Sequence, residues 1–346
     1  MKHILQIAVL FILFYSCSDE PVETVFFEFD TEHGVFIACE GNFMYGNGSL
    51  SFYDTQSRKI TNQVFYARNN APLGDVVQSL ARHGNSLFIV VNNSGKVVVA
   101  DVNTVEFKGV VTGLISPRYI HIVSDRKGYI SDLHAKQITI FDPGTLKITG
   151  FIDLIGHSSE QMVQVGSYVF VSDWSYGNTL LVIDTETDKI IDEIEVTLQP
   201  KDLAVDKNDN IWVLSDGSYE GSPSGNQVPA ISRIDPETNT IEQIFRFRPG
   251  DVPSSLEFNR EGDTLYFLNR NVYKMAIGSR HLPDSAFIRG GEKLFYNLAV
   301  DRSTNEIYVT DAIDYTQDAI VLRFAPEGVL IDSFKTGINP SDFMFR

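Results

Sequence analysis

Cysteine and positive charge are both scarce in this sequence. The 346 residues include only two cysteines, Cys17 and Cys39, which exclude a disulfide framework and any zinc site built on CxxC pairs. Lys and Arg together number 28, against 45 Asp and Glu, so the net charge is −17. Because an acidic surface repels phosphate backbones, we expect no nucleic-acid partner.

Catalytic motifs are missing as well. The seven histidines are scattered without a His-Glu-x-x-His pattern, and there is neither a Gly-x-Ser-x-Gly elbow nor a phosphate loop. We therefore expect no enzyme activity, no catalytic residue, no cofactor and no metal ion. Carboxylate pairs such as Asp173 with Asp216, or Asp311 with Asp314, leave a metal-dependent lyase or lactonase as a lesser alternative. Cys39 is expected to be a buried free thiol.

The apolar run at the N-terminus is short. It covers residues 4–15, fewer than the ~20 that span a bilayer. It ends at Phe14-Tyr15-Ser16-Cys17, which resembles a bacterial lipobox. This pattern predicts a signal peptide over residues 1–16, a lipid anchor on Cys17 and an acidic tether over residues 17–33. Ser18-Asp19-Glu20 resembles the export tag of Bacteroidetes surface lipoproteins and indicates a cell-surface lipoprotein of the outer membrane; a plain secretory peptide is the alternative.

What the sequence does contain is a repeat of short strands that end in Asp. Asp54, Asp101, Asp142, Asp184 and Asp235 recur every 41–51 residues, and a Thr stands three residues after each of the last four. A period of 40–50 residues with four short strands in each unit is typical of a β-propeller. We expect the carboxylate to accept backbone N–H groups in the next turn, and the Thr to begin the following strand.

Seven such units fit the chain. The first holds only three strands, at residues 34–37, 49–54 and 60–66, and one strand is left over at residues 341–346. Joining the last strand to the first unit removes both free sheet edges. The sequence therefore predicts an all-β, seven-bladed β-propeller over residues 34–346, a ring closed by the C-terminal strand joining the N-terminal blade.

The loops between strands differ by face. In a propeller with strands A to D in each blade, the B–C and D–A connections emerge on one face, called the upper face here, and the A–B and C–D turns on the other, the lower face. The upper connections combine aromatic rings with amides and acids, which suits a bulky, amphipathic ligand. The candidate ligand-binding residues are Phe43, Tyr45, Gln78, Asn93, Arg118, Tyr119, His134, Gln161, Asp173, Trp174, Tyr176, Asp216, Tyr219, Asp311 and Tyr315.

Several of these loops carry distinctive runs. They include Leu73-Gly74-Asp75-Val76-Val77-Gln78-Ser79, Ser116-Pro117-Arg118-Tyr119-Ile120, Asp216-Gly217-Ser218-Tyr219 and Val309-Thr310-Asp311-Ala312-Ile313-Asp314-Tyr315. Together they resemble the YncE-like seven-bladed propeller lipoproteins of gut Bacteroidetes, and among them the cobalamin-binding BtuG type.

The resemblance implies a function. It implies capture of cobalamin (vitamin B12) or another corrinoid at the cell surface, and transfer to a BtuB-like TonB-dependent transporter in the outer membrane. The alternative is a propeller that captures another ligand: a glycan, a metal chelate or a protein.

Overall fold

The computed structural model describes residues 33–219, 221–222 and 225–346. Within these residues, 27 strands form seven antiparallel sheets arranged as the blades of a propeller. The predicted signal peptide, Cys17 and all of the tether except His33 lie outside the described residues. The fold prediction is confirmed.

The strands of each blade follow one another from the central channel outward as A, B, C and D. Blade one consists of β27 (Pro340–Phe345), β1 (Gly34–Cys39), β2 (Ser49–Asp54) and β3 (Lys59–Thr61). Blade two consists of β4 (Val77–His83), β5 (Ser86–Val91), β6 (Lys96–Asp101) and β7 (Phe107–Val111). Blade three consists of β8 (Pro117–Ser124), β9 (Lys127–Asp132), β10 (Gln137–Asp142) and β11 (Lys147–Asp153).

The second half of the ring repeats this order. Blade four consists of β12 (Met162–Val165), β13 (Tyr168–Ser172), β14 (Thr179–Asp184) and β15 (Lys189–Glu195). Blade five consists of β16 (Pro200–Val205), β17 (Ile211–Ser215), β18 (Ala230–Asp235) and β19 (Thr240–Arg246). Blade six consists of β20 (Ser254–Phe258), β21 (Thr264–Asn269) and β22 (Asn271–Ala276), and blade seven of β23 (Phe295–Asp301), β24 (Glu306–Asp311), β25 (Ile320–Phe324) and β26 (Leu330–Lys335).

Ring closure depends on pairing between the two ends of the propeller. Strand β27 pairs antiparallel with β1, with Val35 opposite Phe345 and Ile37 opposite Phe343. All six residues of β1 are buried, because β27 and β2 cover the edges of the strand and blades seven and two pack on its faces. The C-terminal strand is thus the innermost strand of blade one, as predicted.

Two local predictions are wrong. The expected strand at residues 60–66 is only the three-residue β3, because residues Val64–Asn69 form the helix α1; its Val64 and Phe65 are buried between blades one and two. Blade six has three strands instead of four, and only the single bridge between Val272 and Ile288 stands in place of strand D.

The apolar core lies in the joints between blades. Each of seven clusters of buried side chains is built from two neighbouring blades, so every blade is packed on both sides. The largest fully buried side chain, Trp212 of blade five, stacks on Phe245 and meets the edge of Phe258 in blade six. Cys39 is a buried free thiol in the joint of blades seven and one, as predicted.

Candidate functional site

The upper mouth of the channel is built by irregularities at the start of the A strands. In six blades the A–B register shifts there, and a β-bulge re-aims the extra residue. The cavity at this mouth has a volume of about 180 Å³. Residues that the bulges place around it are Gln78, Arg118, Tyr119, Lys201, Ser255, Tyr296, Asn297 and Ser341.

Arg118 is the centre of a hydrogen-bonded network at the mouth. Its guanidinium donates to the Glu160 carboxylate with distances of 2.6–3.0 Å and also to the side-chain oxygen of Gln78. Its Cζ atom lies 5.7 Å from the ring centre of Trp174. Such a bidentate pair fixes the planar guanidinium in one orientation, so three blades are tied together here.

A second network continues from Trp174. The indole Nε1 donates to Asp216 Oδ2 at 3.0 Å, and the other oxygen of Asp216 pairs with Lys201 Nζ at 2.5 Å. Burial by itself lowers the pKa of Lys201, but the carboxylates of Asp216 and Asp202 outweigh it and raise the pKa above its usual value. Lys201 is therefore a fixed positive charge at neutral pH.

The carboxylate of Glu40 closes the mouth on the side of blade one. The Tyr296 hydroxyl donates to Glu40 Oε2 at 2.9 Å. Burial raises the pKa of Glu40, while the bond from Tyr296 and the charge of Arg118 act in the opposite direction. The mouth thus combines donors and acceptors in fixed positions.

Below the mouth the channel widens into a cavity of about 490 Å³. Three of the acids that line it have raised pKa values. Burial raises the pKa of Asp202 and of Asp342 to about 6, and that of Glu257 to about 8. One oxygen of Asp202 is buried without a hydrogen-bond partner. The channel therefore holds carboxyl groups that are partly protonated near neutral pH.

Exposed apolar side chains are concentrated on the upper face. Eleven of the twenty large exposed hydrophobic side chains in the described residues stand in connections that open onto it. They are Phe43, Met44, Tyr45, Ile115, Ile155, Tyr176, Tyr219, Val252, Leu294, Ile313 and Tyr315. Only Tyr168 and Val329 of these side chains lie on the lower face, and the other seven lie on the outer edge of the blades. Exposed apolar patches are typical of interaction surfaces, which makes the upper face the candidate surface.

The loops that carry these rings are tied to one another. Asp75 accepts the Met44 backbone N–H at 2.8 Å and a bond from the Asn93 side chain. Asn42 donates to the Tyr315 carbonyl at 2.9 Å, and the Tyr315 ring meets the edge of Tyr296 at 5.7 Å between centres. Blades seven, one and two therefore present their aromatic residues as one connected rim.

The predicted site residues fall into three groups. Exposed on the upper rim are Phe43, Tyr45, Asn93, His134, Tyr176, Tyr219 and Tyr315. At the mouth and along the channel wall are Gln78, Arg118, Tyr119, Gln161 and Trp174, and Asp216 is bonded to the mouth residues Trp174 and Lys201. Buried beneath the loops are Asp173 and Asp311.

Asp173 and Asp311 hold loops in place. Asp173 accepts bonds from the His157 ring, the Ser158 N–H and the Ser158 hydroxyl at 2.6–2.8 Å. Asp311 accepts the N–H groups of Leu294 and Ile313. Each carboxylate lies at the end of a B strand and fastens the incoming D–A loop, Asp173 through both oxygens and Asp311 through Oδ1.

Several mouth residues are absent from the sequence-based candidates. Glu40, Glu160, Lys201, Asp202 and Tyr296 line the cavity beside the predicted ones. A signal for some of them exists: Pro followed by two polar residues recurs at the A-strand starts of blades three, five, six and one. It stands at Pro117-Arg118-Tyr119, Pro200-Lys201-Asp202, Pro253-Ser254-Ser255 and Pro340-Ser341-Asp342.

The described residues contain neither a metal-ligand cluster nor a membrane-spanning helix. Among the described part of the chain, no group of three or more His, Cys, Asp or Glu side chains is arranged to hold a metal ion. No helix in this part combines the length and the apolar character needed to cross a bilayer.

A family model described as a domain of unknown function, DUF5074, matches residues 33–333. The chain belongs to this family. The match covers almost the whole of this DUF5074 propeller as described above. No curated protein sequence matches the chain significantly.

Solved structures share the fold of this DUF5074 propeller. A quinoprotein alcohol dehydrogenase-like protein from Bacteroides thetaiotaomicron is similar with a TM-score of 0.68 and 15% identity, over 91% of this chain and 78% of that one. A protein from Lactobacillus plantarum has a TM-score of 0.68 and 13% identity, over 91% and 99%. The β-propeller domain of Cps50 (Swd1) from Myceliophteria thermophila has a TM-score of 0.62 and 12% identity, over 80% and 90%. At these identities the likeness concerns the fold alone.

Proposed function

We propose that this protein captures a bulky small-molecule ligand on the upper face of the propeller, and that the ligand is cobalamin or a related corrinoid. The observation that carries the proposal is the concentration of exposed aromatic and aliphatic side chains on this face, above a polar mouth. Such side chains offer apolar area, and the amides and acids beside them offer hydrogen bonds to a ligand rich in amides.

The connected rim supports a capture role. Because Asp75, Asn42 and the Arg118–Glu160 pair already hold the loops, the loops have less conformational freedom to lose on binding, which favours affinity. The side chains at the mouth would then serve orientation and specificity, with no bond made or broken in the ligand.

The cellular role is part of the same proposal. A lipid anchor on Cys17 would hold the propeller at the outer surface of the outer membrane. From there the captured ligand would pass to a BtuB-like TonB-dependent transporter. The lipobox-like run and the Ser-Asp-Glu tag support this placement.

Calorimetric titration of the chain starting at Ser18 with cyanocobalamin tests the proposal. We expect tight one-to-one binding, weakened at least tenfold by Tyr315→Ala, because the ring would lose its contact area with the ligand. Tyr168→Ala is the matched control, since its ring is exposed to a similar extent (42% against 45%) but lies on the lower face. A flat trace, or an equal loss in both variants, would overturn the proposal.

A second candidate is capture of another ligand, such as a glycan. Tyr45, Tyr176 and Tyr219 are exposed tyrosines beside amides and acids, and such rings also stack on sugar faces. A thermal-shift screen of oligosaccharides separates the two candidates, because a ligand that binds only the native state raises Tm. Elemental analysis for a divalent ion, with activity assays before and after chelation, tests the lyase or lactonase alternative.

A further inference from the structure

Charge is distributed unevenly around the ring. Between residues 246 and 293, which cover blade six and its flanking loops, there are eight basic and six acidic residues. The remainder of the chain has 20 basic and 39 acidic residues. Blade six is therefore a basic sector on a strongly acidic protein.

The basic side chains of this sector have no carboxylate partner in the described residues. None of its eight Lys and Arg side chains forms an ion pair within 4.0 Å in the described residues. Elsewhere most arginines of the fold are engaged, as Arg118, Arg233 and Arg323 are with glutamates. Exposed arginines without carboxylate partners are free to bind an anion.

Four of these residues reach the upper side of the blade. Arg248 stands in the loop from blade five, Arg270 in the B–C turn, and Arg289 and Lys293 in the segment leading to blade seven. All four are exposed. Asp251, the nearby acid in the same loop as Arg248, accepts the Arg248 backbone N–H at 2.9 Å.

Hydrogen bonds bring the three segments together. The Asn269 side-chain oxygen accepts the Val252 N–H at 3.2 Å, and that of Asn271 accepts the Gly290 N–H at 2.9 Å. The carbonyl of Gly290 in turn accepts the Lys293 N–H. The turn that presents Arg270 is therefore bonded to the loops on both sides.

Arg270 occupies a conformation that favours other residues. It is the single residue between β21 and β22, with φ of 59°. Left-handed backbone favours glycine or asparagine and is uncommon for a long side chain. Arg270 nevertheless stands at the tip of this turn, with its side chain exposed on the upper side of the blade.

We propose that the upper side of blade six is an anion-binding subsite, formed by Arg248, Arg270, Arg289 and Lys293, which takes a phosphate or carboxylate group of the ligand held on the upper face. The subsite rests on the proposed capture function only in assigning the anion to that ligand. An anionic group at the edge would orient a bulky ligand whose apolar part covers the aromatic rim.

Tripolyphosphate and citrate are the probes, titrated into the chain starting at Ser18 by calorimetry at about 20 mM salt, where screening is weak. We expect at least one of these anions to bind. The double variant Arg248→Gln/Arg270→Gln should weaken this binding at least fivefold. The control Arg126→Gln/Lys147→Gln removes the same charge from exposed lower-face positions and should change the affinity less than twofold. Binding of tripolyphosphate alone identifies phosphate, and of citrate alone carboxylate.

The subsite would be overturned if neither probe binds, or if both double variants lose the same affinity. Poly-glutamate is titrated as a third probe, and binding of poly-glutamate alone would also overturn the subsite, because it would indicate an acidic protein partner. The outcome is separate from the cyanocobalamin titration. If the anions bind and cobalamin does not, only the proposal of cobalamin as the ligand is overturned. If cobalamin binds and the anions do not, only the proposal of the subsite is overturned.

Discussion

Single residues at the channel show how burial, more than sequence context, sets their chemistry. Glu257 is one of several glutamates in a chain rich in acids, yet burial raises its pKa to about 8, opposed only in part by Arg302. Nothing in the surrounding residues distinguishes it, because the channel exists only after seven blades close. The same holds for Asp202 and Asp342.

The raised pKa of Glu257 makes a prediction for stability. A folded-state pKa above the unfolded one means that the native protein holds the proton more tightly, so its contribution to stability is present below pH 4.5 and is lost as the pH rises through 8. The free energy of unfolding of Glu257→Gln, relative to that of the wild type, should therefore rise by about 1–3 kcal/mol from pH 5 to pH 9. Thermal unfolding at both pH values measures this change.

Glu327→Gln provides the control, since Glu327 is exposed on the lower side of blade seven. Its stability relative to the wild type should be independent of pH over the same range. If both variants respond alike, the pKa of Glu257 is not the cause.

At the scale of elements, the recurring Asp–Thr pair is a C–D turn. As predicted, the carboxylate accepts backbone N–H groups of the turn that follows. Asp142 accepts those of Gly144 and Thr145 at 2.8 and 3.0 Å. The prediction that Thr begins the next strand is wrong. Thr187 and Thr238 lie inside the turn and donate their hydroxyls back to the Asp at 2.9 and 3.0 Å. One further residue with positive φ is needed to reverse the chain before strand D.

The turn bonds of Asp235 should be measurable. Its carboxylate accepts Glu237 N at 2.8 Å and the Thr238 hydroxyl at 3.0 Å. Asp235→Ala removes both acceptors and should cost about 1 kcal/mol in the free energy of unfolding. Glu237→Ala removes the same charge two residues away and should cost little. Denaturant unfolding of the two variants compares them, and equal costs would show that charge, not the turn, is responsible.

At the scale of the whole molecule, stability depends on closure of the ring. Each core cluster joins two blades, so a missing strand in blade one affects the joints with both neighbours. Phe343 of β27 packs on Tyr308 of blade seven, with ring centres 5.9 Å apart. Met344 belongs to the cluster shared with blade two.

Deletion of residues 340–346 should therefore prevent formation of the compact propeller. It would expose the edge of β1 and both adjoining clusters, and free strand edges favour association. We expect loss of the cooperative thermal transition and elution as aggregates in size exclusion. Phe343→Leu keeps an apolar side chain in the closing strand and should still fold, with a lower Tm. A cooperative, monomeric deletion variant would show that closure is dispensable.

The sequence by itself determined the architecture of this protein. Strand length and the Asp–Thr period are local features that repeat because each blade packs in the same way, and the leftover last strand completes the first blade. The helix at Val64–Asn69 was not predicted, because burial of Val64 and Phe65 in the joint of blades one and two overrides local strand preference. The missing strand in blade six was not predicted either.

Only the tertiary structure decided which polar residues meet. Asp173 and Trp174 are neighbours in the chain, yet the first is buried under a loop and the second faces the mouth. Arg118 meets Glu160 and Gln78 across three blades, about 40 residues away in either direction. Sequence can place such residues on the upper face, but their distances, burial and charge arise only when the ring is closed.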